Sequence, residues 1–243
     1  MAGTDNQMPQ RGIVYSATGA EFVAEAIASA RSSLRFNRVA HLIFCDAIPS
    51  ERIDGVDFVR YETSGDPLLD RDRSICRLPF EQTIFLDTDT YVAANVDDLF
   101  DLLNRFDVAA AHAPGYTKCL DKGQSEAFND FNLGVVALRR TPGVAELLAN
   151  WIDIYERWKK SPPFRIYTAA SDQASFRRAL WESSISFFVL SPEYNYRSIF
   201  PGRLVGAAKI IHGRSRNYEK LTAHINAQTG PRIFDAFRPD REW

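Results

Sequence analysis

Two carboxylates one residue apart offer the clearest chemistry in this sequence. Asp87 and Asp89 follow an apolar run, Ile84-Phe85-Leu86, in the stretch TIFLDTDTYV. On an extended chain alternate side chains share a side, so the pair points one way. Close carboxylates repel and lose solvation, and a hard divalent cation between them relieves both costs. The alternative is a polar turn after a core strand, because Asp is common in turns. A second candidate lies far along the chain. His212 ends a short apolar run at 207–211 and precedes Gly213-Arg214-Ser215-Arg216. A histidine there, beside glycine and two arginines, suits chemistry, whereas His41 and His112 read as core residues inside strands.

These residues need a frame. Residues 12–17 (GIVYSA) read as a buried first strand, and Thr18-Gly19 turns it into a helix over 20–34. Phe22, Val23, Ala26, Ile27, Ala30 and Leu34 share one face of that helix. Thr18 and Glu21 fit a capping box, although free N–H groups at a helix start also suit a nucleotide. Residues 39–45 and 57–61 are further strands. Asp66-Pro67 opens a helix with Leu68, Leu69, Ile75 and Leu78 inward and Arg71, Arg73 and Arg77 on other faces. Strands alternating with helices predict a mostly parallel α/β sheet covered on both faces. Ligands of such sheets bind beyond the carboxyl ends of the strands, where Asp87 and Asp89 stand.

Asn95 caps a predicted helix over 96–105, and 108–112 is a strand. The polar stretch 113–130 is long enough to be a functional loop. Residues 131–138 form another strand, with Asn132 and Gly134 on one face at its start. Glycine there permits either close approach of a ligand or a bulge. Thr141-Pro142 starts a helix over 142–159 with Val144, Leu147, Leu148, Trp151, Ile152, Tyr155 and Trp158 as core. Ser171 caps a helix over 172–181 that opens with Asp172-Gln173. A strand at 185–190 and a loop at 192–197 follow.

Composition narrows the classes. The chain has 243 residues, 45% hydrophobic, with 29 Lys+Arg against 31 Asp+Glu. That length predicts one domain over 1–243, with residues 1–10 a disordered lead-in and 222–243 a C-terminal extension. The balanced charge argues against a nucleic-acid partner. No apolar run reaches transmembrane length, and no basic-then-apolar signal opens the chain. Cys45, Cys76 and Cys119 form no CxxC pair, which predicts reduced thiols, a cytoplasmic setting and no zinc site.

Taken in order, these residues resemble the GT-A glycosyltransferases, and the family 8 type most closely. The likeness spans about residues 12–216. It rests on the turn at Thr18-Gly19, the arginine-bearing helix before the acidic strand, and Asp87-Thr88-Asp89. Phe131-Asn132-x-Gly134-Val135, Asp172-Gln173, Tyr194-Asn195-Tyr196 and the late His212 complete it. The resemblance implies a GT-A, Rossmann-like mixed sheet, mostly parallel and flanked by helices. It implies transfer of a hexose from a nucleotide-diphosphate sugar, UDP- or GDP-linked, to a saccharide or other hydroxyl acceptor.

By the same resemblance Asp87, Asp89 and His212 ligate Mn²⁺ or Mg²⁺. Thr18, Gly19 and Thr88 meet the nucleotide, and Arg73 meets donor phosphate or sugar. Asn132, Gly134 and Asp172 meet the donor sugar, and Gln173 lies beside the anomeric carbon. Gly213, Arg214 and Arg216 meet the diphosphate. The family's ending after the late histidine carries a lysine, and here an arginine takes its place. Retention by front-face attack is implied, and inversion follows if Asp172 instead acts as general base. Two other readings stay open. The stretch DTDTYV also fits the first motif of haloacid-dehalogenase-type phosphatases, with Asp87 as nucleophile, although that motif belongs on a domain's first strand. A non-catalytic nucleotide-sugar-binding protein could retain the fold. In the tail, Phe234, Phe237 and Trp243 alternate with Arg232, Arg238 and Arg241, which suits packing on the same domain first, or else a homodimer contact or a membrane surface.

Overall fold

The computed structural model describes residues 10–114, 124–125, 127–160 and 172–236. Cys119, Ser171, most of the 113–130 stretch, Phe237 and Trp243 lie outside the described residues, as does nearly all of the lead-in.

A seven-stranded sheet forms the centre. It comprises β1 (Arg11–Ala17), β2 (Ala40–Cys45), β3 (Val56–Arg60), β4 (Gln82–Leu86), β6 (Val108–His112), β7 (Phe131–Arg139) and β8 (Phe187–Val189). Their order is β3-β2-β1-β4-β7-β6-β8. β7 runs antiparallel to β4 and β6, and the other pairs are parallel. The mixed, mostly parallel sheet expected from the sequence is therefore present. Alternation along β1 sends Val14 into one buried layer and Ile13 and Tyr15 into the other. The first layer packs α4 (Pro142–Lys160) and α5 (Asp172–Glu182), with Trp151 and Phe176 in contact. The second packs α1 (Ala20–Leu34) and α3 (Asp97–Leu102). Trp151 is 1% exposed, and burial of a ring that size is worth several kcal/mol, about 3–5 by truncation.

Two small sheets sit beside the main one. The first joins β5 (Thr90–Val92), β11 (Ile210–His212) and β9 (Tyr196–Arg197) in the order β5-β11-β9. The second pairs β10 (Gly202–Leu204) with β12 (Arg232–Phe234). With α6 (Tyr218–Ile225) they enclose a third cluster around Tyr196, Ile211 and Leu221, which Phe234 joins. The described part of the C-terminal extension thus packs on its own domain. No helix among the described residues is long and apolar enough to cross a membrane.

Four local expectations need correction. The capping box on α1 is absent: Thr18 Oγ1 bonds Tyr61 Oη, and the Asp46 carboxylate accepts from the Gly19 N–H at 3.0 and 3.1 Å. Helix α2 (Pro67–Ile75) turns Asp70, Asp72 and Ser74 inward, while Leu68 is 39% exposed. Asp66 caps it as expected, accepting from the Leu69 N–H at 3.4 Å. In α4 the core position is Ile154 and not Ile152, because the stripe follows Trp151 by three residues. His112 is exposed at the end of β6, stacked on Phe131 at 5.1 Å, whereas His41 is buried.

Candidate active site

Backbone pairing brings the two ends of the chemistry together. β4 delivers Asp87 at its carboxyl end, where the Asp87 N–H donates to the Gly134 carbonyl at 2.9 Å. β5 starts directly after Asp89 and pairs antiparallel with β11, placing Thr90 opposite His212. The next residue closes the join: the Gly213 N–H donates to the Asp89 carbonyl at 2.9 Å. Gly213 has φ +123°, a conformation that a side chain disfavours. His212 Nε2 lies 3.3 Å from Asp89 Oδ1 and 3.5 Å from Asp87 Oδ2. One ligand atom from each of Asp87, Asp89 and His212 falls within 4.8 Å of the others.

Glycine at 134 makes room for this arrangement. A Cβ on Gly134 would stand 1.8 Å from His212 Cε1. The space expected for a ligand is occupied first by the imidazole, although Gly134 also lines the cleft. Asn132 is buried, and its side-chain oxygen accepts from Asn195 Nδ2 at 2.8 Å and the Gly134 N–H at 3.2 Å. Arg197 Nη1 reaches His212 Nε2 at 3.0 Å.

Arg71, which the sequence pattern did not single out, lies deepest among the cleft's carboxylates, with Arg214 also on the lining. Its Nε donates to Asp87 Oδ1 at 2.7 Å, and its Nη1 to Asp72 Oδ1 and Asp172 Oδ2, each at 3.0 Å. Nη2 donates to the Leu133 carbonyl at 2.6 Å, and the guanidinium lies over Phe85. Arg73 instead pairs with Glu156 at 2.8 Å on the exposed side of α2. Helical spacing held the signal: Pro67 and Leu68, four and three residues before Arg71, line the cleft with it. Asp172 opens α5, and Trp151 Nε1 donates to its carbonyl at 3.0 Å. Gln173 lines the cleft beside it.

The charges are unevenly tuned. Burial pushes the Asp72 carboxyl well above the usual carboxylate range, and the neighbouring Asp172 adds to this against the pull of Arg71. Burial also raises Asp172, with Arg71 opposing and Asp87 assisting. Burial alone would raise Asp89 too, but His212, Arg214 and Arg197 outweigh it and hold the group at about 2. Desolvation opposes the Arg71 charge, yet Asp87, Asp172 and Asp72 together hold it protonated.

Thr18, Thr88, Gly134, Asp172, Gln173 and Arg214 line one cleft with Asp87 and Asp89. Gly19 does not offer its N–H outward, because Asp46 already accepts it. That carboxylate fills the anion position at the start of α1, so a phosphate there would meet like charge. Arg214 holds Glu25 with two nitrogens, at 2.6 and 3.1 Å, and Thr88 Oγ1 donates to the same carboxylate at 2.9 Å. Arg216 lines a neighbouring cavity with Tyr91 and Tyr218, not the cleft itself.

No family model matches the sequence, and no curated protein matches it. Solved structures do match in fold. Mouse xyloside xylosyltransferase 1 superposes over 84% of this chain and 97% of its own, with TM-score 0.53 and 17% identity. The glycosyltransferase GlyE of Streptococcus pneumoniae TIGR4 superposes over 85% of this chain at TM-score 0.57 and 18% identity. The match spans about half, 55%, of the GlyE chain. The galactosyltransferase LgtC, solved with donor and acceptor sugar analogs, superposes over 88% of this chain and 96% of its own, at TM-score 0.58 and 13% identity. In this chain the strand bearing Asp87 is internal to the sheet and fourth in sequence, unlike the first-strand place expected for the phosphatase motif. The seven-stranded mixed sheet with its flanking helices is the GT-A glycosyltransferase fold.

Proposed function

We infer that this chain is a divalent-metal-dependent glycosyltransferase. It moves a hexose from a UDP- or GDP-linked sugar to a hydroxyl of a saccharide or other acceptor, with retention at the anomeric carbon. One observation carries the reading: Asp87, Asp89 and His212, from distant parts of the chain, converge within 4.8 Å beside the cleft of a GT-A fold.

The three side chains fit a divalent cation. Two carboxylates and one imidazole form an O,O,N set that favours Mn²⁺ over Mg²⁺, which prefers oxygen alone. When bound, such an ion neutralises the charge that grows on a departing diphosphate. The rest falls to the chain's own groups. Thr18, with Tyr61 behind it, faces the nucleoside end. Arg71 and Asp172 hold sugar hydroxyls from opposite polarities, donor and acceptor. Arg71 takes the place that the sequence gave to Arg73. Gln173 orients the anomeric centre with an amide that cannot ionise. Arg214, held by Glu25, and Arg216, in the neighbouring cavity, supply positive charge for phosphate oxygens. Gly213 positions the Asp89 turn, and Asn132 acts within the protein more than on the sugar. Asp172 is bound to Arg71, which supports a sugar-holding part over that of a free nucleophile or base.

Thermal unfolding with UDP or GDP, each with and without Mn²⁺, tests the reading. A metal-dependent rise in Tm is expected, followed by nucleotide release from a matching sugar donor. No shift with either nucleotide and no turnover across a donor panel would count decisively against it.

A further inference from the structure

Resting on the metal reading above, we propose that Asn195 is a positioning residue: it fixes the His212 proton on Nδ1 and so turns the Nε2 lone pair toward the cation. A backbone N–H sets the polarity of the whole run of bonds. The Gly134 N–H donates to Asn132 Oδ1 at 3.2 Å, which identifies that atom as the acceptor end of the amide. Asn195 Nδ2 lies 2.8 Å from the same oxygen and 3.3 Å from the Asn132 carbonyl. Both partners only accept, so Asn195 must donate there, and its Oδ1 is left facing His212 Nδ1 at 2.9 Å. An amide oxygen accepts and never donates. The proton therefore belongs on Nδ1, and Nε2 keeps its lone pair.

A second contact agrees. Arg197 Nη1, which can only donate, makes its shorter approach to Nε2, at 3.0 Å against 3.3 Å to Nδ1. Nε2 is also the nitrogen that faces Asp87 and Asp89. Asn132, Asn195 and His212 are 4%, 4% and 1% exposed, so bulk water does not compete for these bonds. The outcome is an orienting partner behind the metal-facing ring, of the kind that fixes ligand tautomers in metal sites. Asn195 touches neither the cleft nor its carboxylates; it acts through His212.

The experiment uses the full chain labelled with ¹⁵N-histidine, and Mn²⁺ alone as the probe. Metal-free wild type, at a pH alkaline enough to leave the ring neutral, should show His212 protonated at Nδ1 alone, and the protein should bind Mn²⁺. Asn195→Ala should lose the tautomer preference and bind Mn²⁺ about 10- to 100-fold more weakly. Asn195→Asp keeps an oxygen acceptor toward Nδ1 and should keep the Nδ1–H tautomer, while its second oxygen, set against two acceptors of Asn132, should lower the Tm. A wild-type His212 protonated at Nε2 overturns the proposal, as does Asn195→Ala with unchanged tautomer and unchanged Mn²⁺ affinity. The wild-type tautomer needs no variant, so it decides the matter even if Asn195→Ala does not fold. A wild type with the Nδ1–H tautomer that ignores Mn²⁺ overturns the cation half, and with it the metal reading, but leaves the Asn195 contact standing.

Discussion

The His212 imidazole lies against Gly134, its Cε1 so close that one added methyl would overlap it at 1.8 Å. Two strands from distant parts of the chain, β7 and β11, therefore meet at a position where only glycine fits. Gly134→Ala must push the ring away from Asp87 and Asp89 or shift β7. Overpacking of this kind costs about 1–3 kcal/mol, so the variant should fold with a lowered Tm. Its Mn²⁺ affinity should fall at least tenfold, measured by calorimetry. Wild-type Mn²⁺ binding in a folded Gly134→Ala protein would show that the ring can move without consequence, and the metal assignment for His212 would fail.

Arg71 and Arg73 are two residues apart and should respond in opposite ways. Arg71 bonds Asp72, Asp172 and Asp87 at once, in a largely buried setting. Removing it leaves buried like charges facing one another, which typically costs about 3–5 kcal/mol. Arg71→Ala should therefore unfold at much lower urea concentration. Arg71→Lys should fold better but fail to span the three carboxylates and should lose activity strongly. Arg73→Ala breaks only a solvent-exposed pair, worth under about 1 kcal/mol. Urea denaturation and kcat/KM on a matched donor separate them. Equal effects at both positions would contradict the placement of Arg71 at the cleft.

The buried carboxyls predict a specific pH dependence. Asp72 and Asp172 have native pKa values above their unfolded ones, because burial outweighs Arg71. The native state then binds more protons than the unfolded chain between those values. Their contribution is most favourable below the unfolded pKa and is lost as pH rises through the native one. Asp89 has the opposite sign: held at about 2, it stabilises above its unfolded pKa and loses that effect as pH falls toward 2. Asp72→Asn removes the Asp72 share of the first effect and leaves that of Asp172. Relative to wild type, this variant should gain stability at pH 7, with the gain shrinking toward pH 4. A gain independent of pH would mean that Asp72 is not the group that takes up the proton.

Where the sequence was legible, a local signal existed. The bounds of α1, Ala20–Leu34, and of β6, Val108–His112, follow from apolar period and flanking turns alone. Asp87 and Asp89 announced themselves by type and by their place after an apolar run. The β5–β11 pairing did not, because two three-residue strands more than a hundred positions apart leave no periodic trace. Asp46 at the start of α1 was invisible for the same reason: it replaces a local cap with a long-range one. The choice between Arg71 and Arg73 turned on helix phase, and the inward face of α2 is polar rather than apolar. A rule that looks for apolar stripes misses a face built from Asp70, Asp72 and Ser74.

Arg197 competes for the lone pair that a metal would use. Its guanidinium is partly buried, which lowers its preference for charge, and Asp89 and Asp87 offset that only in part. It donates to His212 Nε2 at 3.0 Å, so a cation arriving at the same nitrogen must displace this contact and tolerate a like charge nearby. Removing the charge should then help the metal and harm the metal-free protein. Arg197→Met keeps the length and apolar stem without the charge. Metal-free Arg197→Met should melt lower than wild type, because Asp87 and Asp89 lose a neutralising neighbour. Its Mn²⁺ affinity should rise by about tenfold, a modest share of the Coulomb energy between unit charges at such range. The Mn²⁺-induced rise in Tm should accordingly be larger in the variant than in wild type. Weaker Mn²⁺ binding in Arg197→Met would reverse the assignment, making Arg197 a support that orients the imidazole instead of a rival for its electrons.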